Sequence, residues 1–218
     1  MLRLLPLVVV DFGALDRPAR ARLAAHGVPT VPAEHNLEPR PQAGQERGPQ
    51  EEIAELQVRE LAKRGERRIV YAALADRRPD PYGPSRFAAV TAACERRGLE
   101  APLRVSVPLE LESATAVLSG LPQDVPLGVA ALDDDVALAV LAAAAQLGRP
   151  VPAALAVVGV DATDVGQLWA PRLTTIAVDM EAYVDRFIPE LFVALGRPAP
   201  RYPAAGVPLL RLVAGETT

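Results

Sequence analysis

The chain has 218 residues, of which 50% are hydrophobic, so it can bury the core of one domain or of two small lobes. Its formal charge of −4 argues against a free-standing nucleic-acid-binding protein, because such proteins are usually basic. A single cysteine excludes an intrachain disulfide, and with only two histidines a zinc site is a poor candidate. No stretch of sequence is apolar enough to span a bilayer, so we expect no membrane partner.

The first 65 residues predict two strands and two helices with a long loop between them. Asp16 is a candidate cap for the first helix, and Gly27 is a candidate stop. Residues 34–50 are polar and contain Pro and Gly throughout, which is typical of a long loop or a crossover between lobes. The elements predicted here are strand 6–12, helix 16–27, strand 28–33 and helix 51–65.

Beyond residue 65, strands and helices alternate regularly. This alternation predicts a parallel sheet that is covered by helices on both faces. The helix at 136–148 is apolar on all sides, which indicates burial in the core or in a subunit interface. The predicted strands are 68–74, 103–109, 127–132, 154–160, 172–178 and 207–215, and the predicted helices are 85–98, 112–121, 136–148 and 181–196.

Polar residues follow several of the predicted strands. Glu34, the aspartates at 133–135 and Asp161 stand at strand carboxyl ends, and Arg86 lies just beyond the loop that follows a fourth strand. Parallel α/β sheets bind their ligands at the carboxyl ends of the strands. The order of the elements therefore predicts that these polar groups converge on one site.

The three consecutive aspartates at 133–135 are open to four interpretations. They can cap the helix that follows, since a carboxylate there accepts hydrogen bonds from orphan backbone N–H groups. Asp133 and Asp135, together with Asp161, can ligate a metal through oxygen atoms. A phosphorylated aspartate would need a nearby cation, but the only lysine, Lys63, stands near a helix end. A sugar or polyol is the fourth possibility, because carboxylates accept hydrogen bonds from hydroxyl groups.

A family resemblance appears in residues 127–176. The pieces "ALDDDVALAV", "GRPVP", "VVGVD" and "PRLTTI" occur there in this order. Together they resemble the effector-binding core of the LacI/GalR family of bacterial transcription regulators. The upstream segments "QVRELAKRGERRIVYAAL" and "GPSRFAAVTAACERRGLE" resemble the family too, although Glu66 and Ala89 depart from its usual residues.

The resemblance implies an α/β, periplasmic-binding-protein-like fold. Two Rossmann-like lobes with parallel sheets would be joined by three crossovers, near 34–50, 176–180 and 200–206, around a ligand cleft. The resemblance also implies that the amino-terminal lobe is incomplete in this chain. We expect residues 1–50 to form part of this lobe and the first crossover, 51–175 the carboxyl-terminal lobe, 176–200 a return helix of the amino-terminal lobe, and 201–218 the final strand and tail.

Ligand-binding residues follow from the resemblance position by position. Arg86 matches the effector-clamping arginine of the family, and Asp161 matches its effector-binding aspartate. Asp133 falls where the family commonly has a ligand-binding Asn, and Glu34 lies at a crossover position that touches effectors in some members. Asp134 matches the aspartate that caps the following helix.

Three further residues match the dimer interface of the family. Trp169, the only tryptophan, corresponds more often to an interface position than to a sugar-stacking one. Leu138 and Val140, on the apolar helix, are expected to join it there.

The implied function is effector binding and dimerisation in a cytoplasmic, LacI-type transcription regulator. Its effector would be a sugar or polyol, with no cofactor, no metal and no enzymatic activity. Operator DNA would be bound only through an amino-terminal helix-turn-helix domain that this chain lacks, so we expect the native product to extend upstream. The alternatives are a sugar-binding protein of a transporter, and a metal- or phosphate-dependent hydrolase that uses Asp133, Asp135 and Asp161.

Overall fold

A computed structural model describes residues 6–11, 15–32, 49–63, 65, 68–75, 82–200 and 209–218. Within these ranges the strands are β1 (Val9–Asp11), β2 (Thr30–Pro32), β3 (Arg68–Leu74), β4 (Leu103–Val107), β5 (Leu127–Ala131), β6 (Leu155–Val160), β7 (Thr174–Val178) and β8 (Leu210–Val213). The helices are α1 (Arg17–Ala25), α2 (Pro49–Ala62), α3 (Gly83–Glu95), α4 (Leu111–Ser119), α5 (Asp134–Gln146), α6 (Asp164–Leu168) and α7 (Met180–Ala194). None of these helices is both long and apolar enough to cross a membrane.

The chain divides into two compact units. Unit 1 comprises Met1–Pro49 and Asp179–Leu209, and unit 2 comprises Gln50–Val178 and Leu210–Thr218. The first segment of unit 2 ends at Val178, the last residue of β7. The reason is that β7 pairs with both β6 and β8, which holds the whole strand in unit 2.

Unit 1 contains a small parallel sheet in which Val9 of β1 pairs with Thr30 of β2. Helix α1 lies between these strands in the chain. As predicted, Asp16 caps it by accepting a 2.7 Å hydrogen bond from the backbone N–H of Ala19. Gly27 follows the helix with a φ of 71°, a conformation that glycine adopts without steric cost.

Unit 2 is built on a six-stranded sheet with the order β4-β3-β5-β6-β7-β8. The five strands from β3 to β7 pair in parallel, as the alternation of strands and helices predicts. Strand β8 differs, because it pairs with β7 in the antiparallel direction. It returns to unit 2 from unit 1 rather than through a helix that packs on the sheet, so its direction is not fixed by a βαβ crossover.

Helices cover both faces of the six-stranded sheet. On one face, α4 and α5 form the main hydrophobic cluster with side chains such as Val70 of β3 and Val129 of β5. On the other face, α2 packs closely over Gly128, where an added Cβ would lie 3.2 Å from the Cβ of Leu61. Tyr71 is fully buried there beneath Phe87 of α3. Each fully buried large apolar side chain stabilises the fold by about 1.5–3 kcal/mol.

The carboxyl-terminal residues complete the sheet where β6 and β7 begin. The buried hydroxyl of Thr217 donates to the carbonyl of Val157 and accepts from the backbone N–H of Thr174, at 2.7 and 2.9 Å. The backbone of Thr217 also accepts a hydrogen bond from the N–H of Val157. Hydrogen bonds to the tail therefore join the beginnings of the two strands, opposite the end that carries Asp161.

Candidate functional site

The three aspartates lie at the junction between β5 and α5 and have three different environments. Asp133 is half-buried, Asp134 is completely buried and Asp135 is exposed. Asp133 is the helix cap: its backbone is extended and its Oδ1 accepts a 2.8 Å hydrogen bond from the N–H of Val136. The prediction that Asp134 caps this helix is therefore wrong. The cap requires the last non-helical residue, and Asp134 already has helical backbone geometry as the first residue of α5.

Asp134 directs its carboxylate away from its own helix, toward β7 and α6. Its Oδ2 accepts hydrogen bonds from the N–H and the hydroxyl of Thr163, at 2.7 and 3.0 Å. Its Oδ1 accepts a 2.6 Å hydrogen bond from the hydroxyl of Thr175. This one side chain joins the start of α5, the start of α6 and strand β7.

Two glycines leave the space that this carboxylate occupies. A Cβ added to Gly159 of β6 would lie 2.2 Å from Oδ1 of Asp134, a separation that no real contact permits. A Cβ added to Gly166 of α6 would lie 3.2 Å from Oδ2. The glycine of "VVGVD" is therefore required by the buried Asp134, 25 residues earlier in the chain.

Asp161 follows β6 in an unusual backbone conformation. Its φ is 102°, and that of Ala162 is 53°, so two successive residues with side chains lie in the left-handed region. Each such residue costs about 1–3 kcal/mol unless its surroundings hold it in place. The N–H of Asp161 donates to the carbonyl of Ile176, and that of Ala162 donates to the hydroxyl of Thr175. The side chain of Asp161 is exposed to solvent.

Arg86 lies in the first turn of α3 and is 4% exposed. Its Nε donates a 2.5 Å hydrogen bond to Oε1 of Gln50, and its Nη1 donates a 3.3 Å hydrogen bond to the carbonyl of Leu132. The second bond places the guanidinium beside the end of β5, one residue before Asp133. Arg86 therefore reaches the carboxyl edge of the sheet beside β5. It lies in the helix that follows β3, whereas Asp161 follows β6, and these two strands flank β5.

The charges of these groups act on one another. Partial burial is the largest cause that raises the pKa of Asp161, and the carboxylates of Asp134 and Asp133 raise it further. The guanidinium of Arg86 acts in the opposite direction and lowers this pKa. Burial also raises the pKa of Asp134, while its hydrogen bonds with Thr175 and Thr163 oppose that shift. The structure thus brings together Arg86, Asp133 and Asp161, three of the four residues predicted to bind a ligand. The fourth, Glu34, lies outside the described residues.

Gln57 of α2 is a site-supporting residue that the sequence reasoning missed. It is completely buried, and its Nε2 donates to the carbonyls of Ala131 and Val158, at 2.8 and 3.1 Å. This amide therefore bridges β5 and β6 close to the points where Asp133 and Asp161 emerge. Its Oε1 accepts no hydrogen bond from any described residue. The available signal was a polar residue four positions from the buried Leu61, on the apolar face of α2.

The predicted interface residues fall into two groups. Val140 is 3% exposed and packs in the hydrophobic cluster of unit 2, so its assignment to an interface is wrong. It follows Val136 by one helical turn, and that side of α5 faces the sheet. Leu138 is half-buried and borders an open groove of about 400 Å³. Trp169, which follows α6, is 37% exposed beside Leu168, which is 85% exposed.

The aspartates do not form a metal centre in the described part of the chain. Within it, no group of three or more His, Cys, Asp and Glu side chains could hold a metal ion. Asp133 is turned toward the backbone of its own helix, and Asp134 toward two threonines. What the arrangement offers is an exposed acceptor, Asp161, near a cationic donor, Arg86.

A fold with these groups at the carboxyl edge of a parallel sheet defines a class of small-molecule-binding protein. The family model described as "Periplasmic binding protein-like domain" matches residues 58–218. The chain therefore belongs to the periplasmic binding protein-like domain family. No curated protein matches its sequence.

Several solved structures that resemble the chain are LacI-type transcription regulators. A LacI transcriptional regulator from a Rhodococcus species has 28% identity and a TM-score of 0.70, over 97% of this chain and 76% of that one. A LacI family transcriptional regulator from Mycobacterium smegmatis has 25% identity and a TM-score of 0.67, over 93% and 76%. The transcriptional regulator CelR, in complex with cellobiose, has 24% identity and a TM-score of 0.70, over 97% and 65%. The predicted resemblance and fold class are confirmed: the chain is an effector-binding core of the LacI/GalR type.

Proposed function

We propose that this core binds a sugar or polyol effector and dimerises as part of a bacterial transcription regulator. The observation that carries the proposal is the meeting of Arg86, Asp133 and Asp161 at one edge of the sheet, from three separate segments. Groups so far apart in sequence converge where α/β sheets bind ligands. The similarity to regulators favours this function over that of a transporter's sugar-binding protein.

The chemistry of the three residues suits a ligand with hydroxyl groups. A sugar hydroxyl donates one hydrogen bond and accepts others, so it pairs with a carboxylate on one side and a guanidinium on the other. Asp161 provides an exposed acceptor, and Arg86 provides charged N–H donors in a rigid setting. CelR, which has a similar fold, was solved with cellobiose, and this supports a sugar.

Asp133 and Glu34 keep supporting roles in the proposed site. Asp133 is fixed at the edge of the sheet by its bond to the backbone of α5. As an ionised carboxylate it only accepts hydrogen bonds, whereas the Asn common in the family also donates. The effector of this protein would therefore present hydroxyl or cationic donors toward Asp133. Glu34 remains a proposed contact from the first crossover.

The proposed dimer uses apolar residues at the surface of unit 2, some exposed and some half-buried. Leu138 and Trp169 remain its proposed members, and Leu168 joins them because an exposed leucine beside a tryptophan is typical of an association surface. Operator DNA is a proposed partner of the whole regulator, as the family resemblance implies. A regulator with this task acts in the cytoplasm and needs no enzymatic step.

A thermal-shift screen tests the proposed function. The chain is heated with monosaccharides, disaccharides including cellobiose, and polyols. A ligand at 100 times its Kd stabilises the folded state by about 2.7 kcal/mol, which corresponds to a rise in Tm of about 5–10 °C. We expect at least one compound to give such a rise, and Asp161→Ala to remove most of it.

Asp124→Ala is the matched control for this screen. Asp124 is an exposed aspartate in the loop before β5, at the opposite end of the sheet. Its replacement should leave the ligand-induced shift unchanged. Equal shifts in the wild type, Asp161→Ala and Asp124→Ala would contradict the site, and the absence of any shift across the panel would contradict a sugar or polyol effector.

A further inference from the structure

The backbone N–H groups of Ala162 and Thr163 are held by bonds that converge on one buried side chain, while the N–H of Asp161 donates to the carbonyl of Ile176. Thr163 is bound to Asp134 directly, through both its N–H and its hydroxyl. The N–H of Ala162 is bound indirectly, because its acceptor is the hydroxyl of Thr175, which itself donates to Asp134. Every one of these bonds lies within unit 2.

The carboxylate determines the direction of both threonine hydroxyls. The N–H of Thr163 can only donate, so the Asp134 oxygen that it faces is an acceptor. If Asp134 is ionised, both hydroxyls donate to it, and their lone pairs then point elsewhere. The lone pairs of Thr175 accept from the N–H of Ala162, and those of Thr163 accept from the N–H of Gly166, each at 3.3 Å.

We infer that Asp134 is a positioning residue for the effector site: it holds the left-handed turn at Asp161 and Ala162 and thereby aims the carboxylate of Asp161. The ligand-binding part of this inference rests on the proposed function, whereas the part about the turn does not. Without Asp134, both threonine hydroxyls would be free to rotate. The turn would then lose the acceptor of the Thr163 N–H and the fixed orientation of the Thr175 hydroxyl, which bind the backbone at and beside its left-handed residues.

The space around Asp134 supports a positioning role for this side chain. Two different elements, β6 and α6, have a glycine where the carboxylate passes, at Gly159 and Gly166. The hydrogen bonds with Thr175 and Thr163 also lower the pKa of Asp134 against the rise that burial causes. The surroundings are thus shaped to accept this side chain, and its hydrogen bonds offset part of the cost of burying it.

Replacing buried threonines separates this role from general stabilisation. Thr175→Val keeps the shape of the side chain but removes the hydroxyl that links Asp134 to Ala162. Thr174→Val is the matched control: it is the neighbouring buried threonine on the same strand, and its hydroxyl contacts Gly215 and Thr218 in the tail. Both variants lose one buried hydroxyl, so both should be destabilised, but only one should alter the turn.

The measurement is made by NMR on the ¹⁵N-labelled chain. The three-bond coupling between the amide and α protons of Asp161 reports its φ, and hydrogen exchange reports protection of the Thr163 amide. We expect Thr175→Val and Asp134→Ala to change the coupling and to speed this exchange about tenfold or more relative to Thr174→Val. Asp134→Asn should restore the coupling, because its amide can donate to the Thr175 hydroxyl while its oxygen accepts from Thr163.

The outcomes separate the inference from the proposed function. An unchanged Asp161 coupling in Thr175→Val overturns the inference, and so does an Asp134→Asn that behaves like Asp134→Ala. If Asp134→Ala does not fold, Thr175→Val still decides. A cellobiose titration adds the binding arm: loss of cellobiose binding in Thr175→Val but not in Thr174→Val supports the inference. If the wild type binds no sugar, the proposed function fails while the coupling still tests the turn.

Discussion

At the scale of single residues, Asp161 combines an unfavourable backbone with an unfavourable charge. Its positive φ is one that asparagine tolerates better than most residues with side chains. Its pKa is raised by burial and by the neighbouring carboxylates of Asp134 and Asp133. A residue that is costly on both counts is typical of a position kept for binding rather than for stability.

Asp161→Asn is therefore expected to stabilise the protein at neutral pH. Because the pKa of Asp161 is raised in the folded state, the protonated form is favoured there. The stability that this group contributes is complete below its unfolded pKa of about 3.9 and is lost as the pH rises through the folded value. Asn carries no charge, so we expect a gain of about 0.5–1 kcal/mol at pH 7, kept small by solvent screening.

Urea unfolding at several pH values provides the measurement. The pH-dependent part of the gain should shrink as the pH falls through the raised pKa of folded Asp161, because the wild-type carboxyl is then protonated as well. Any advantage of Asn for the left-handed backbone should persist there. Asp124→Asn, in the exposed loop before β5, is the control. A gain that is the same at every pH would contradict the electrostatic account.

Residue roles at the aspartates were only partly predictable from sequence. Strand order predicts that Asp133 and Asp161 lie at one edge, since that depends only on where β5 and β6 end. Which aspartate caps α5 depends on the residue at which the backbone becomes helical, and a run of three offers three choices. The bonds of Asp134 with Thr163 and Thr175 link residues that are 29 and 41 positions apart, so no local pattern reveals them.

At the scale of elements, the hydrophobic pattern of α5 predicts the helix but not the side of it that faces the sheet. Its predicted position is nearly that of the observed helix, because the apolar run after the aspartates can form little else. Its inward side was not predictable, since Ala, Leu and Val occupy every side. The structure turns Val140 to the sheet and leaves Leu138 beside a groove. Helix α6 was missed because five residues are too few to display a period.

Substitutions at these two positions of α5 should have different effects. Val140→Ala removes buried methyl groups from the main cluster, and we expect it to lower the free energy of unfolding by about 2 kcal/mol. Leu138→Ala should cost less in stability but weaken the proposed dimer. Urea unfolding measures the first effect, and light scattering over a dilution series measures the second.

The experiment compares Val140→Ala and Leu138→Ala in both stability and self-association. If Val140→Ala dissociates a dimer without loss of stability, the core position of this residue is wrong. If Leu138→Ala leaves self-association unchanged at all concentrations, the groove is not part of the dimer surface.

At the scale of the whole molecule, the fold was predictable because an ordered series of motifs spans most of the chain. The family match over residues 58–218 covers the same segments that carry the resemblance. The direction of β8 was not predictable, because the chain re-enters unit 2 from unit 1 at this strand. The hydrophobic pattern of β8 does not indicate which strand it pairs with. For the function, we propose that Arg86 and Asp161 bind an effector at the edge of this sheet.

Isothermal titration calorimetry with Arg86→Ala and Arg149→Ala tests that claim most directly, using the sugar or polyol that gives the largest thermal shift. Arg149 is a matched control, since it is 7% exposed and its Nη2 donates to the carbonyls of Pro122 and Val125, at the opposite end of the sheet. We predict that Arg86→Ala weakens binding by about 1.5–3 kcal/mol, the loss of a charge-assisted hydrogen bond, and that Arg149→Ala does not. Equal affinity in the wild type and Arg86→Ala would contradict the account.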